Sequence, residues 1–243
     1  MVYPKEFFTL MFEYARRYSE ISGEELGTVL LRKVPFYYVI GNHNWDIDES
    51  NSLWLEYVEG LNSALDPVNL AYDMYIQHLE PEGKHKYFGC FRYKCVEDSK
   101  TNEKIVKLHF ENNDKSPYGP LSHQRMDVRL SELREMFMDI KNECPQAQYV
   151  QGVSWLYNYD SYKRLYPKAY TESIKEMGVV KTEFLAIWNM FINSENLVRE
   201  DMYKKFLTDV SKSKSIKELE ESIPYKVFVA KASIESFYKM YGL

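Results

Sequence analysis

The 243-residue sequence lacks most of the short signatures from which an activity is ordinarily read. No apolar run approaches the ~20 residues of a membrane-spanning helix, so no membrane partner is expected. The opening residues Met1-Val2-Tyr3-Pro4-Lys5-Glu6 lack the pattern of a secretory leader. Cysteine is scarce and odd in number: Cys90, Cys95 and Cys144, with no Cys-x-x-Cys. Metal-finger and redox spacings are therefore absent, and three reduced thiols in a cytoplasmic protein are expected. Basic charge is not in excess, with 31 Lys and Arg against 36 Asp and Glu and a net charge of -5. That balance gives no footprint for nucleic acid. Acidic and basic residues read as mixed along the chain, the pattern of an ordinary solvated surface. No internal repeat or low-complexity tract stands out.

Aromatic residues, by contrast, are plentiful: 16% of the chain, with 21 tyrosines. Such a composition argues against disorder. A tyrosine can bury its ring while its hydroxyl finds a partner, so the two readings are an aromatic core and a tyrosine-lined groove. The length suffices to bury a full core without disulfides or metals. One compact domain over residues 1–243 is expected, with a helical part over 1–80, a β-α-β core over 85–170 and a helical part over 171–243.

Phe8, Met11, Phe12, Ala15 and Tyr18 recur at helical spacing, and a second short helix is predicted from Glu24 to about Arg32. The aromatic segment from Pro35 to Ile40 reads as extended, and Gly41 to Asp46 as a loop. Asp48 to Asn51 offers caps for a helix over Leu53–Leu61. Pro67 opens another, with Leu70, Met74 and the run Ile76–Leu79 facing inward. Glu80-Pro81-Glu82-Gly83-Lys84 is a turn and the clearest internal boundary.

Beyond that turn the period changes. Tyr87–Val96 and Ile105–Phe110 predict an antiparallel hairpin. A loop with Pro117, Gly119 and Pro120 leads to Ser122, a helix cap by residue type. The helix that follows carries Met126, Leu130, Leu133, Phe137 and Ile140, and stops before Pro145. A strand over Tyr149–Tyr157 completes a parallel crossover. Asp160–Leu165, Glu183–Phe191, Glu200–Val210 and Ala230–Tyr241 read as helices, with a shorter one in Lys212–Ser222. The fold class expected is α+β, with a small mixed sheet flanked by N-terminal and C-terminal helices.

Few residues are candidates for chemistry. His109 lies near the end of a strand and is a candidate base near neutral pH, against the plainer reading of a hydrogen-bonded strand histidine. Ser154 ends the next strand and would need a base within reach to act as a nucleophile. No Gly-x-Ser-x-Gly surrounds it, which argues against a serine hydrolase through Ser154 and His109. Tyr157 heads a group of tyrosines and is a candidate acid or orienting group. The loop to Pro120 precedes a helix N-terminus, where backbone N–H groups attract anions and Ser122, His123 and Arg125 can add donors. It has only Gly119, however, where a phosphate cradle needs several glycines. His43, Asp46 and Asp48 match no metal-ligand spacing, so no metal is expected.

The order Leu108-His109, Gly119-Pro120-Leu121, amphipathic helix, Pro145 and Ser154-Trp155-Leu156-Tyr157 resembles the C-terminal acyltransferase-like half of bacterial GNAT-fold proteins. The match covers about 60 residues. The longer run Ser154 to Asn158, Tyr162, Arg164-Leu165 and Pro167 is similar to a group of uncharacterised bacterial proteins. The GNAT resemblance implies a mixed sheet whose strands splay to admit an acyl-coenzyme A, and acyl transfer to an amine. His109 would then be the base, Ser154 or Tyr157 would orient substrate, and Gly119, Ser122, His123 and Arg125 would face the cofactor phosphates. The family's glycine-rich pyrophosphate loop is missing. The alternative is a non-catalytic ligand- or protein-binding module with a tyrosine-rich groove.

Overall fold

The computed structural model describes residues 2–42, 47–79, 85–98, 101–178 and 182–243. Along them run α1 (Lys5–Ser22), α2 (Leu26–Arg32), α3 (Phe36–Val39), α4 (Ser52–Ser63), α5 (Pro67–Gln77), β1 (Phe91–Glu97) and β2 (Lys104–Phe110). Then come α6 (Met126–Glu143), β3 (Tyr149–Ser154), α7 (Asp160–Lys163), α8 (Lys168–Thr171), β4 (Lys175–Glu176) and α9 (Leu185–Trp188). The chain ends with α10 (Glu200–Lys212), α11 (Ile216–Glu221), β5 (Phe228–Ser233) and α12 (Ile234–Tyr241). The fold is α+β, a five-stranded mixed sheet with flanking helices, as expected. No described helix is long and apolar enough to cross a membrane.

Two compact units emerge from the packing. One comprises Met1–Gly83 with Val180–Pro224, the other Lys84–Val179 with Tyr225–Leu243. The expectation of evenly mixed charge does not hold across them. The first carries 12 Lys and Arg against 22 Asp and Glu, the second 19 against 14, for net charges of -10 and +5. Residues 34–83 contain nine acids and no Lys or Arg.

The first unit is helical. Phe7, Phe8, Leu10, Met11, Phe12, Tyr14 and Ala15 bury one side of α1. Gly23 ends that helix at φ +76°, and its N–H bonds the Ser19 carbonyl; a left-handed residue of this kind is the usual stop. The segment expected to be extended is instead α3: Phe36, Tyr37, Val39 and Ile40 are all buried, so their apolar character reflects burial rather than a strand. Asn51 caps α4 by accepting the Leu53 and Trp54 N–H groups, and Asp66 caps α5, which opens on Pro67. Ile76 and Leu79, expected inside, are exposed. The predicted loop at 43–46 and turn at 80–84 lie outside the described residues.

The second unit holds the sheet, in the order β1-β2-β3-β5-β4. The β1–β2 hairpin is antiparallel and β2–β3 is parallel, joined by α6, as the sequence pattern requires. Three details differ from expectation. β1 begins at Phe91, because Gly89 turns the chain at φ +60° and Phe88 and Phe91 bond each other across the turn. β3 ends at Ser154 and passes into a 3-10 turn over Trp155–Asn158. Ala230–Tyr241 is not one helix: its first residues belong to β5, which pairs with β3 from Tyr149↔Ser233 to Ser154↔Phe228.

Helices cover one face of this sheet. Val106, Leu108, Val150 and Ala230 point toward Leu133, Met136, Phe137 and Ile140 of α6 and Phe237 of α12. Each fully buried side chain of this kind contributes about 1.5–3 kcal/mol. The predicted α6 stripe is recovered in Leu133, Phe137 and Ile140, while Met126 and Leu130 are half-buried and Arg129 and Met136 join the buried set. A further correction concerns the thiols: Cys95 on β1 and Cys144, just past α6, form a disulfide across 49 residues, and only Cys90 is free.

Candidate functional site

Parallel strands β2 and β3 pair from Ile105↔Tyr149 to Leu108↔Gly152. The pairing stops two residues short of both strand ends, Phe110 and Ser154. Beyond this point one chain enters the loop to α6 and the other the 3-10 turn before α7. Ligands of open sheets bind outside the carboxyl ends of parallel strands, so this end is the candidate site.

The residues proposed for catalysis do not converge there. Ser154 Oγ accepts the Leu156 N–H at 3.0 Å and caps the 3-10 turn. Tyr157 is buried in the core, its hydroxyl 2.6 Å from that of Tyr170. Burial, reinforced by Tyr170 and Tyr162, holds its ionisation well above the ordinary tyrosine range. Gly152 makes this pair possible, since a Cβ at that position would overlap both hydroxyls. His109 follows Leu108, which faces the covered side, so alternation turns the imidazole to the other face, opposite Arg92. Ser154 shares the parity of Gly152 and lies on the covered side. A hydrogen-bonded Ser154–His109 pair is therefore not formed. Burial, then the nearby Arg92 charge, depress His109 to about 4, so its ring is neutral at pH 7.

The anion-facing set is also divided. Gly119 has open space about it and needs no glycine-specific conformation. Ser122 makes no capping bond, contrary to expectation; its Oγ is shut from solvent without a hydrogen-bond partner. His123 is exposed. Arg125 donates from Nε to Asp114 Oδ2 at 2.6 Å.

Sequence reasoning missed what surrounds Arg125. Arg129, 1% exposed, bonds Asp114 Oδ2 and Glu132 Oε1, both at 2.9 Å, and also reaches Cys90 Sγ. Burial would raise Asp114, but the Ser116 N–H and the two guanidinium groups hold it below the usual carboxylate range. Burial wins at Glu132, which is raised although it accepts the Cys90 N–H. Burial also raises the Cys90 thiol. The sequence did hold a signal: Arg129 sits three residues after Met126 and four before Leu133, inside the apolar stripe, where an unpaired charge is not tolerated.

Four side-chain atoms in these segments are buried without a partner: Asn112 Oδ1, Ser122 Oγ, Arg129 Nε and Arg164 Nε. Arg164 Nη2 donates to the Leu121 carbonyl at 2.9 Å, linking the segment after β3 to the loop after β2. Arg164 also lines a shallow depression of about 550 Å³ with Lys163, Lys168, Asp160, Glu172, Tyr166 and Thr171. Among the described residues no group of His, Cys, Asp and Glu is arranged to hold a metal.

The backbone does not fit the pyrophosphate of an acyl-coenzyme A in the manner of the GNAT proteins that the sequence resembles. The Ser122 N–H bonds Gly119, the Arg125 N–H bonds Ser122, and the Met126 N–H bonds His123. Of the cations lining the depression, Lys163 pairs with Asp160 and Lys168 with Glu172, while Arg164 keeps a guanidinium nitrogen, Nε, without a partner. No family model matches the chain, and no curated protein or solved structure matches it either.

Proposed function

We propose that the protein is a binding module for a small anionic ligand of the acyl-coenzyme A class, held at the carboxyl ends of β2 and β3 without chemical turnover. The observation that carries this reading is the group of buried, unpartnered atoms there, Ser122 Oγ, Arg129 Nε and Arg164 Nε above all. An unmet buried donor costs about 1–3 kcal/mol, which a bound phosphate or carbonyl oxygen would recover. The β2–β3 pairing ends two residues before either strand does, at the strand ends outside which ligands of such sheets bind, and this supports it. The use of Ser154 as a cap and Tyr157 as core supports binding over catalysis.

Acyl transfer is the second reading. It keeps His109 as the base: burial and Arg92 leave its ring neutral at pH 7, although a value lowered to about 4 makes it a weak proton acceptor. Calorimetry and thermal shift with coenzyme A and acetyl-coenzyme A at about millimolar concentration test both readings. Binding that is lost in Arg164→Ala, with no coenzyme A released in the presence of amines, is the expected result. Release that disappears in His109→Gln would establish transfer instead. Neither heat nor shift from either ligand would end both.

A further inference from the structure

Helices cover one face of the sheet; the other carries a row of cations. Lys94 pairs with Lys107, Lys107 with Gln151, and Gln151 with Lys231, so one register line crosses four strands and bears three lysines. The next line holds Arg92 opposite His109, and Val153 opposite Val229, which is opposite Lys175. Arg92 is paired with Glu111 and Lys231 with Glu103. Lys94, Lys107 and Lys175 are exposed and form no ion pair among the described residues. Like charges set directly opposite destabilise a ladder, so Lys94 and Lys107 oppose the fold unless an anion lies against them. Val153, 46% exposed, adds an apolar step beside them.

The same chain carries a surface of the opposite sign. Residues 34–83 have no cation, and α4 buries Trp54 and Tyr57 while exposing Leu55, Glu56 and Glu59. Glu56 and Glu59 form no ion pair among the described residues. Side chains three apart on a helix stand about 5–6 Å from each other. Neighbouring strands lie about 4.8 Å apart, so two such carboxylates match two opposed lysines. Leu55, 52% exposed, then lies on the same helix face as an apolar contact.

We infer that the open sheet face is a self-association surface, whose occupant is a second copy of this chain presenting the acidic face of α4, with Glu56 and Glu59 against Lys94 and Lys107. An extended nucleic-acid strand is a poorer match. Single-stranded binders stack bases on free aromatic faces, and Tyr149 on this face already has the Lys231 ammonium 4.2 Å from its ring centre. The neutral state of His109, between Arg92 and Lys107, agrees with a positive potential across the face.

Sedimentation velocity of the full chain tests the inference over a concentration series at about 20 mM and about 500 mM salt, where charge pairing is screened. Association at low salt that weakens at least about tenfold at high salt is expected. Lys94→Glu/Lys107→Glu and Glu56→Lys/Glu59→Lys should each be monomeric, with unchanged circular dichroism, and should associate when mixed. A wild-type chain that stays monomeric at low salt overturns the inference. So do double variants that associate as the wild type does, and a mixture that fails to associate.

Discussion

The two faces of one sheet treat positive charge in opposite ways. On the covered side Arg129 is 1% exposed and is held by Asp114 and Glu132. On the open side Lys94 and Lys107 are exposed, face each other across the ladder and form no ion pair among the described residues. Arg129 and Glu132 stand on α6 and Asp114 in the loop before it, whereas Lys94 and Lys107 stand on the strands themselves. A charge inside must be neutralised locally because the medium cannot solvate it, whereas a charge outside can be left for solvent or a partner.

The largest effect should come from breaking the covered side. Arg129→Ala leaves Asp114 and Glu132 without their common cation, and unfolding by urea should show a loss of about 4 kcal/mol. Reducing the Cys95–Cys144 bond, also on the covered side, releases a 49-residue loop and should cost about 3 kcal/mol. The denatured, unreduced chain should titrate one thiol; three would refute the disulfide. Gly152→Ala drives a methyl group into the Tyr157–Tyr170 pair and should cost about 2 kcal/mol, read as a lower melting temperature.

The open side should respond to pH rather than to packing. His109 takes its proton near 6.5 when unfolded and near 4 when folded. Its contribution is complete above pH 6.5 and is lost as pH falls toward 4, because the unfolded chain binds the proton first. His109→Gln should remove about 1–2 kcal/mol of that pH dependence, seen by comparing urea midpoints of the two proteins at pH 7 and pH 4.5. The smallest effect belongs to Lys94→Gln, which relieves repulsion with Lys107 and should stabilise the chain by up to about 0.5 kcal/mol. A clear destabilisation would mean that the lysine is already engaged, and would remove the contrast between the faces.

Much of the sheet unit is legible in the sequence. The hairpin, the crossover and the α6 stripe follow from alternation and helical spacing, both local properties. α3 and β5 depart from the sequence pattern for related reasons. Phe36 to Ile40 is apolar on every side and carries no period, and Ala230 to Ser233 is too small and short to separate strand from helix. The tyrosines after Ser154 left open whether they line a groove. Packing answers that: Tyr157, Tyr162, Tyr166 and Tyr170 are buried together against Phe237 and Tyr241. The candidate site was less legible. His109 lies one residue before the end of β2 and Ser154 ends β3, but their faces depend on the β2–β3 register, which residue spacing does not give.

By itself the sequence determined the fold class, the alternation that sends Val106 and Leu108 one way and Lys107 the other, and the acidic stretch over 34–83. Periodicity and composition carry this information, and neither needs distant contacts. Only the tertiary structure decided that Lys94, Lys107 and Lys231 share a line, that Cys95 meets Cys144, and that Arg129 reaches Asp114 and Glu132. Each of these joins residues far apart in sequence, and such pairings are fixed by register and burial, which appear only once the chain has packed.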